Sequence, residues 1–330
     1  MVFLPENSID RVSRKLEKTW EESGAWPEYV AVICQTLSVF KKEAKDQNSQ
    51  SLNWVALPGL CCQAAGGDPI LADDIAAAWL LFYLAADLMD DIQDQDSLNP
   101  WWETFGTGVA LNVASGLYFS ASFILNSITD KDSTNEAHAV IVKEFYDGFM
   151  KMCGGQHQDL TLGDLTLDQF WNIASAKSGI FFSLACRGGA QLVTQDKIIL
   201  AGFEKFGHHL GILVQILDDL EEIQPCRVNE LSRLDEGQRN IMRSLPVVYA
   251  LEVYPPSISE HLRICLKNIH STSDAFSEAI DLINHSGAVL YVETEIERHR
   301  EEALAGLNQA QAISPSCEIL GSLIQDMYRD

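Results

Sequence analysis

The sequence predicts an all-α protein, a large antiparallel helical bundle with a central cavity, and three observations predict it. Apolar residues recur at helical spacing along most of the chain, and no segment alternates apolar and polar residues convincingly at period two. Only 10 prolines occur in 330 residues, which leaves room for long helices. Two apolar helical stretches each finish in adjacent acids, so opposed helix ends would give a cavity with acids at its mouth and apolar walls below. No repeat or low-complexity tract divides the chain, and residues 1–330 are read as one domain.

The elements follow in order. Residues 8–23 begin with a Ser cap and read as an amphipathic helix, and Pro27 separates them from a second helix over 28–45. Residues 52–65 read as an apolar helix broken near Pro58-Gly59, closed by the turn Gly66-Gly67-Asp68-Pro69. A long helix over 71–95 ends before Asn99-Pro100. Residues 105–128 form a nearly all-apolar helix in which Ala110, Ala114, Gly116 and Ser120 allow close packing. Helices follow over 136–159, 167–192 and 197–223, then a polar loop over 224–238. Segments 241–254, 257–269, 273–285, 287–308 and 316–328 complete the helical set.

The stretch LFYLAADLMDDIQDQD, residues 81–96, carries five aspartates, with Asp90 and Asp94 one turn apart and Asp87 and Asp91 paired beside them. A solvated acidic face is normally interleaved with Lys or Arg, yet none occurs between Lys45 and Lys131. The other way to make such a cluster favourable is a hard cation, since Mg²⁺ takes carboxylate oxygens. Residues 207–223 repeat the arrangement, with Asp218 and Asp219 adjacent, Gln215 one turn before and Glu222 one turn after. A ligand with a polyanionic head and an apolar tail suits that construction.

Lys plus Arg total 23 against 47 Asp plus Glu, a formal charge of −24, which leaves no electrostatic footprint for nucleic acid or anionic lipid. The eight cysteines are scattered, without C-x-x-C or zinc-type His spacing, and read as buried thiols in a reducing compartment. The N-terminus lacks the pattern of a signal peptide, and the longest apolar run, Ile75–Ala86, is too short to span a bilayer. The expectation is a soluble, cytoplasmic protein without a transmembrane segment.

Taken together the motifs resemble the trans-isoprenyl diphosphate synthase family (polyprenyl synthetases), whose fold is the class I isoprenoid-synthase bundle. The resemblance covers about residues 50–310. The family's first D-D-x-x-D matches Asp90, Asp91 and Asp94. Its second acidic motif is similar to 214–222, with Gln215, Asp218, Asp219 and Glu222 in the polar places. The G-Q-x-x-D-L segment is similar to 155–160, the Lys-Thr kink to Lys177-Ser178-Gly179, and the T-L-P segment to Ser244-Leu245-Pro246.

The resemblance implies that the two acidic clusters hold Mg²⁺, with Mn²⁺ as a substitute, and that the metal grips an allylic prenyl diphosphate which Lys177 also contacts. Gln156 and Gln215 read either as ligand contacts or as polar residues satisfied inside the bundle. The loop after the second motif, with Arg227, Arg233, Arg239 and, at its end, Arg243, reads either as a lid over the diphosphate or as a solvated loop. Ala85 and Ala86 lie one turn deeper than Asp90, at the level where a bulky aromatic restricts the family to short prenyl chains. With that level open, Phe82 and Tyr83 become the candidate floor, and the expected donor is C15 or longer, C20 at centre.

Chain-elongating members also carry basic residues for the second, isopentenyl diphosphate. The corresponding stretches, 50–55 and 97–102, contain none. The first expectation is therefore a terpene synthase that cyclises or quenches the cation. The alternatives are a prenyltransferase to another acceptor such as a peptide, a chain elongator, and a catalytically silent regulatory subunit. Whether the family's habitual homodimer forms stays open.

Overall fold

A computed structural model of the protein describes residues 7–46, 54–93, 105–131, 136–223, 241–268 and 273–327, and no strand occurs among them. The helices are α1 (Asn7–Glu22), α2 (Pro27–Asp46), α3 (Leu57–Ala64), α4 (Asp73–Gln93), α5 (Thr107–Lys131), α6 (Glu136–Thr161) and α7 (Leu167–Ala174). They continue with α8 (Ile180–Gln191), α9 (Lys197–Glu222), α10 (Leu245–Val253), α11 (Pro256–Lys267), α12 (Ser273–His285), α13 (Ala288–Gln309) and α14 (Ser316–Asp326). The all-α expectation holds, with differences at element ends. Pro58 lies in the first turn of α3 and starts that helix instead of breaking it, because a proline there forfeits no intrahelical hydrogen bond. The loop expected over 224–238 lies outside the described residues, as do Cys226, Arg227, Arg233 and Arg239.

The bundle is built around α4. From Asp74 to Phe82 every residue is buried, the pattern of a helix surrounded on all sides. The single buried acid in that run is neutralised from α1. Lys15 pairs with Asp74, while Arg11 grips Asp73 through two bonds of 2.8 and 2.9 Å. Trp79 stacks on Phe181 at 4.5 Å and donates its indole N–H to the Phe181 carbonyl at 3.0 Å, tying α4 to α8. Helix α5 runs along α4, and α9 lies between α8 and α13. Caps set where key helices begin. Asp196 accepts from the backbone N–H of Ile198 and Ile199 at the start of α9, and Thr166 with Gln169 forms a reciprocal capping box on α7. A second, smaller core gathers residues from α10, α11 and α12 with Ile241 and Ala288.

Two expectations change here. Cys153 is exposed, whereas Cys61, Cys62, Cys186 and Cys265 are buried as free thiols. Two stretches, Pro69–Gln93 and Thr107–Ile128, are long and apolar enough to cross a membrane, although the uninterrupted run Ile75–Ala86 is not. Burial inside the bundle accounts for the apolar character of the first, 67% of which is buried, but for less of the second at 39%. The outer side of α5 and α6 exposes Phe119, Phe123 and Met150.

Between α9 and α13 the rings of His209 and His299 meet, Nδ1 to Nδ1 at 2.8 Å, with Trp171 of α7 stacked on His299. A bond between two ring nitrogens needs one of them unprotonated. Burial, then Arg298 and the neighbouring histidines, pushes His299 down to about 3. Burial, then His208, pushes His209 down to about 4, against the opposing charge of Glu302. In the unfolded chain both protonate near pH ~6.5. The unfolded state therefore binds more protons below that value, and the stability this pair contributes is lost as pH falls from about 6.5 toward 4. Urea midpoints should drop between about pH 7 and about pH 5, and replacing both residues (His209→Asn with His299→Gln) should flatten that drop. An unchanged slope in the double variant would assign the dependence to other groups.

Candidate active site

The helix expected over 167–192 is interrupted by one π-turn, Ser175–Gly179, which joins α7 to α8. Such a turn inserts an extra residue into the helical spiral and re-aims the side chains it carries. Its neighbours crowd it from two sides. A Cβ on Gly211 of α9 would lie 2.2 Å from the Ser178 carbonyl oxygen, and one on Gly155 of α6 would lie 2.8 Å from the Ala176 Cβ. Both helices come closer than a side chain permits, which packs the backbones of α6 and α9 against the turn.

Lys177 and Ser178 use this position in different directions. Lys177 Nζ donates to Asp159 Oδ2 of α6 at 2.7 Å and stands 3.6 Å from Asp90 Oδ1 of α4. Asp159 also accepts from Arg243 Nε at 2.8 Å, and Arg243 Nη1 donates to the carbonyls of Leu162 and Gly163. Burial pushes the Asp159 carboxyl up, but Lys177 and Arg243 outweigh it and hold it below its ordinary range. On the other side Ser178 donates to Gln215 Oε1 at 2.9 Å, and Gln215 Nε2 donates to Asp219 Oδ1 at 2.9 Å. The backbone N–H of Leu245 donates to Asp219 Oδ2 at 2.8 Å. Gln156 Nε2 donates to Asp90 Oδ1 at 2.5 Å and to Gln93 Oε1 at 3.0 Å. One polar network thus runs from the first acidic helix to the second, with adjacent residues of the π-turn as the link.

The structure brings together Asp90, Gln156, Lys177, Gln215, Asp219 and Arg243. Asp91 is half-buried beside Asp90, and Asp218 is exposed beside Asp219. Asp94 lies outside the described residues, and Glu222 sits in the last turn of α9. Ala85 is buried and Ala86 half-buried. One turn deeper Phe82 packs on Phe149 of α6 at 3.8 Å and on Tyr118 of α5 at 5.9 Å, ring centre to ring centre. Tyr83 lies against Trp79 and Phe181. Three participants were absent from the expected site. Asp159 and Ser178 stood inside motifs whose neighbours drew attention. Tyr118, on a nearly all-apolar helix, gave no signal; burial pushes its phenol up to about 12, with Cys153 and Asp90 adding to the shift.

The donor set fits a hard cation, because Asp90, Asp91 and Asp218 offer carboxylate oxygens. It also fits an anionic ligand. Arg243 Nη2 is buried without a hydrogen-bond acceptor among the described residues, and an anionic oxygen is the group it lacks. Gln156 Oε1 is buried without a donor in the same neighbourhood. Asp219 differs from its exposed neighbour Asp218. It is only 7% exposed and both its oxygens are engaged.

The family described as "Polyprenyl synthetase" matches residues 56–283. Geranylgeranyl diphosphate synthase of Mycobacterium tuberculosis (strain ATCC 25618 / H37Rv) is 27% identical over 278 residues, 82% of this chain and 77% of that protein. Tryptophan prenyltransferase ComQ of Bacillus spizizenii is 23% identical over 229 residues, 69% of this chain and 77% of that protein. Among solved structures, geranylgeranyl pyrophosphate synthetase from Pyrococcus horikoshii Ot3 superposes with a TM-score of 0.78 over 98% of this chain and 99% of that one. At 18% identity that likeness speaks for the fold alone.

Two substitutions separate the structural acid from the exposed one. Asp219→Ala orphans the buried Leu245 N–H and should cost about 1–3 kcal/mol of stability. Asp90→Ala leaves Gln156 bonded to Gln93 and Lys177 bonded to Asp159, and should cost less than about 1 kcal/mol. Urea unfolding of the two variants checks the order; equal losses would remove the capping role given to Asp219.

Proposed function

The chain belongs to the polyprenyl synthetase family, and we propose that within it this protein is a Mg²⁺-dependent prenyltransferase. It ionises an allylic prenyl diphosphate of C15 or longer and passes the prenyl group to an acceptor. The observation that carries this reading is the π-turn at which Lys177 faces the first acidic helix while Ser178, through Gln215, reaches the second.

Asp90, Asp91, Asp218 and Asp219 would hold the Mg²⁺, with Asp94 and Glu222 completing the two motifs. Bound there, the metal supplies positive charge to the departing pyrophosphate. Lys177 and the open Nη2 of Arg243 donate to diphosphate oxygens, adding charge where it develops as the C–O bond breaks. The bond pair leaves with the pyrophosphate. The allylic cation is sheltered between Ala85, Ala86, Phe82 and Phe149, where water is excluded. An electron pair from the acceptor then forms the new bond to carbon, and the acceptor loses a proton.

A second reading, a terpene synthase that cyclises the cation, is favoured by the lack of any basic residue in 50–55 and 97–102. The likeness to geranylgeranyl diphosphate synthase and to ComQ supports transfer over cyclisation. The purified protein should be incubated with Mg²⁺ and prenyl diphosphates of graded length, alone, with isopentenyl diphosphate, and with a tryptophan-containing peptide. Transfer predicts pyrophosphate release and an acceptor-bound prenyl product, both abolished by a chelator and restored by Mg²⁺. Cyclic or eliminated hydrocarbon formed without acceptor would replace transfer by the second reading, and turnover in excess chelator would sink both.

Donor length is tested at Ala86. Each helical turn is about 5 Å deep, close to one isoprene unit, so the two alanines leave one further unit open above Phe82. Ala86→Phe overfills that level and should lower use of C20 relative to C10 donors by about tenfold or more. An unchanged length preference would mean that the tail does not run along α4.

A further inference from the structure

A cluster of metal-ligating side chains lies in the part of the fold that the acid motifs do not reach. His261 and Cys265 lie one turn apart on the same face of α11. Glu278 approaches them from α12, its Oε1 2.8 Å from His261 Nε2, while Cys265 Sγ is 3.9 Å from the same nitrogen. One donor atom from each residue falls within 4.8 Å of the other two, and among the described residues this is the one group of three His, Cys, Asp or Glu so placed. We propose that His261, Cys265 and Glu278 bind Zn²⁺, with water in the fourth position, and that the ion clamps α11 to α12.

The chemistry of the three donors selects the metal. Imidazole, thiolate and carboxylate are a zinc set, whereas Mg²⁺ asks for oxygen alone and is served by the acids at the other site. Zinc bond lengths of about 2.0–2.3 Å place tetrahedral ligands roughly 3.3–3.6 Å apart. The separations present, 2.8 Å for His–Glu and 3.9 Å for Cys–His, bracket that value. Small rotations about the exposed Glu278 and His261 side chains close the difference. Cys265 is the fixed point. It belongs to the smaller core at 4% exposure, and its sulfur lies 3.9 Å from His261 Nε2.

An exposed His–Glu pair by itself explains two of the three residues and stabilises little. It gives no reason for a thiol on the same face. On binding, the Cys265 thiol passes its proton to solvent and its sulfur lone pair to the ion, and no redox change is needed. Arg263, between the two α11 ligands in sequence, is turned aside to Asp164 and leaves the face without a competing cation.

The test uses the full chain, stripped with chelator and titrated with Co²⁺ in excess Mg²⁺, so that the acid motifs are occupied. One equivalent should produce the near-ultraviolet thiolate-to-cobalt band with tetrahedral visible transitions, and Zn²⁺ should displace it. Cys265→Ser should abolish the band, and Glu278→Gln, at an exposed position that cannot unfold the protein, should weaken binding at least about tenfold. Zn²⁺ should also raise the melting temperature of the wild-type chain and not of Cys265→Ser. No band, a band that survives Cys265→Ser, or equal affinity in Glu278→Gln would each overturn the proposal.

Discussion

The acid end of the bundle depends on a charge balance struck at one point. Two like charges about 4 Å apart repel by roughly 4 kcal/mol at an effective dielectric of 20. A chain of net charge −24, with no Lys or Arg between Lys45 and Lys131, cannot bring acidic helix ends together without imported cations. Lys177 provides one, lying between Asp90 and Asp159, and Arg243 provides another on the far side of Asp159. Asp159 is therefore the pivot that fixes both cations, and its lowered pKa expresses how strongly they favour its charged form. On the proposed reading, a cation held by Asp90 would compete with Lys177 for that carboxylate, and Lys177 would then be available to donate to the diphosphate.

Geometry allows one short turn to serve both sides. Consecutive residues of a helical turn point in different directions, so Lys177 and Ser178 address different neighbours from adjacent backbone positions. Lys177 turns to α4 and α6, and Ser178 turns to α9 through Gln215. The π-turn makes room for this by widening the spiral at 175–179, and the bare backbones at Gly155 and Gly211 fill the space beside it. A side chain at either glycine would push a helix away and open the distance that the polar network spans.

The helices and the paired acid motifs were legible in the sequence because both rest on short-range rules. Periodicity places the helices, and adjacent acids with no interleaved base stand out at a helix end. Lys177 was legible through resemblance. The rest escaped for physical reasons. A break in the helix at Lys177-Ser178-Gly179 was legible through the resemblance, but nothing local in SAKSG specifies that it is a π-turn, against which α6 and α9 pack closely from elsewhere in the chain. Asp159 looks like one more acid until Arg243, 84 residues away, arrives beside it. Tyr118 reads as core, and only the fold brings its hydroxyl close enough to Asp90 for the two to interact. The His261–Cys265–Glu278 group has i,i+4 spacing on one helix but takes its third member from the next, which hides it from any motif.

Asp219 shows why chemistry and stability are not separable in this protein. Leu245 opens α10, and its N–H is one of the first-turn donors that a helix leaves without internal partners. Ser244 stands at the N-cap position, where its side chain would normally meet such a donor, but it makes no cap and bonds instead to the Ile241 carbonyl. The cap comes from Asp219 on α9, whose charge is also favoured by the positive end of α10. Since α10 contributes Val247, Ala250 and Leu251 to the smaller core, a carboxylate of the second acidic motif fixes where that core attaches. A ligand held by those acids would act on the same carboxylate that positions α10, so a shift of Asp219 would be felt both at the mouth of the bundle and in the packing beside it.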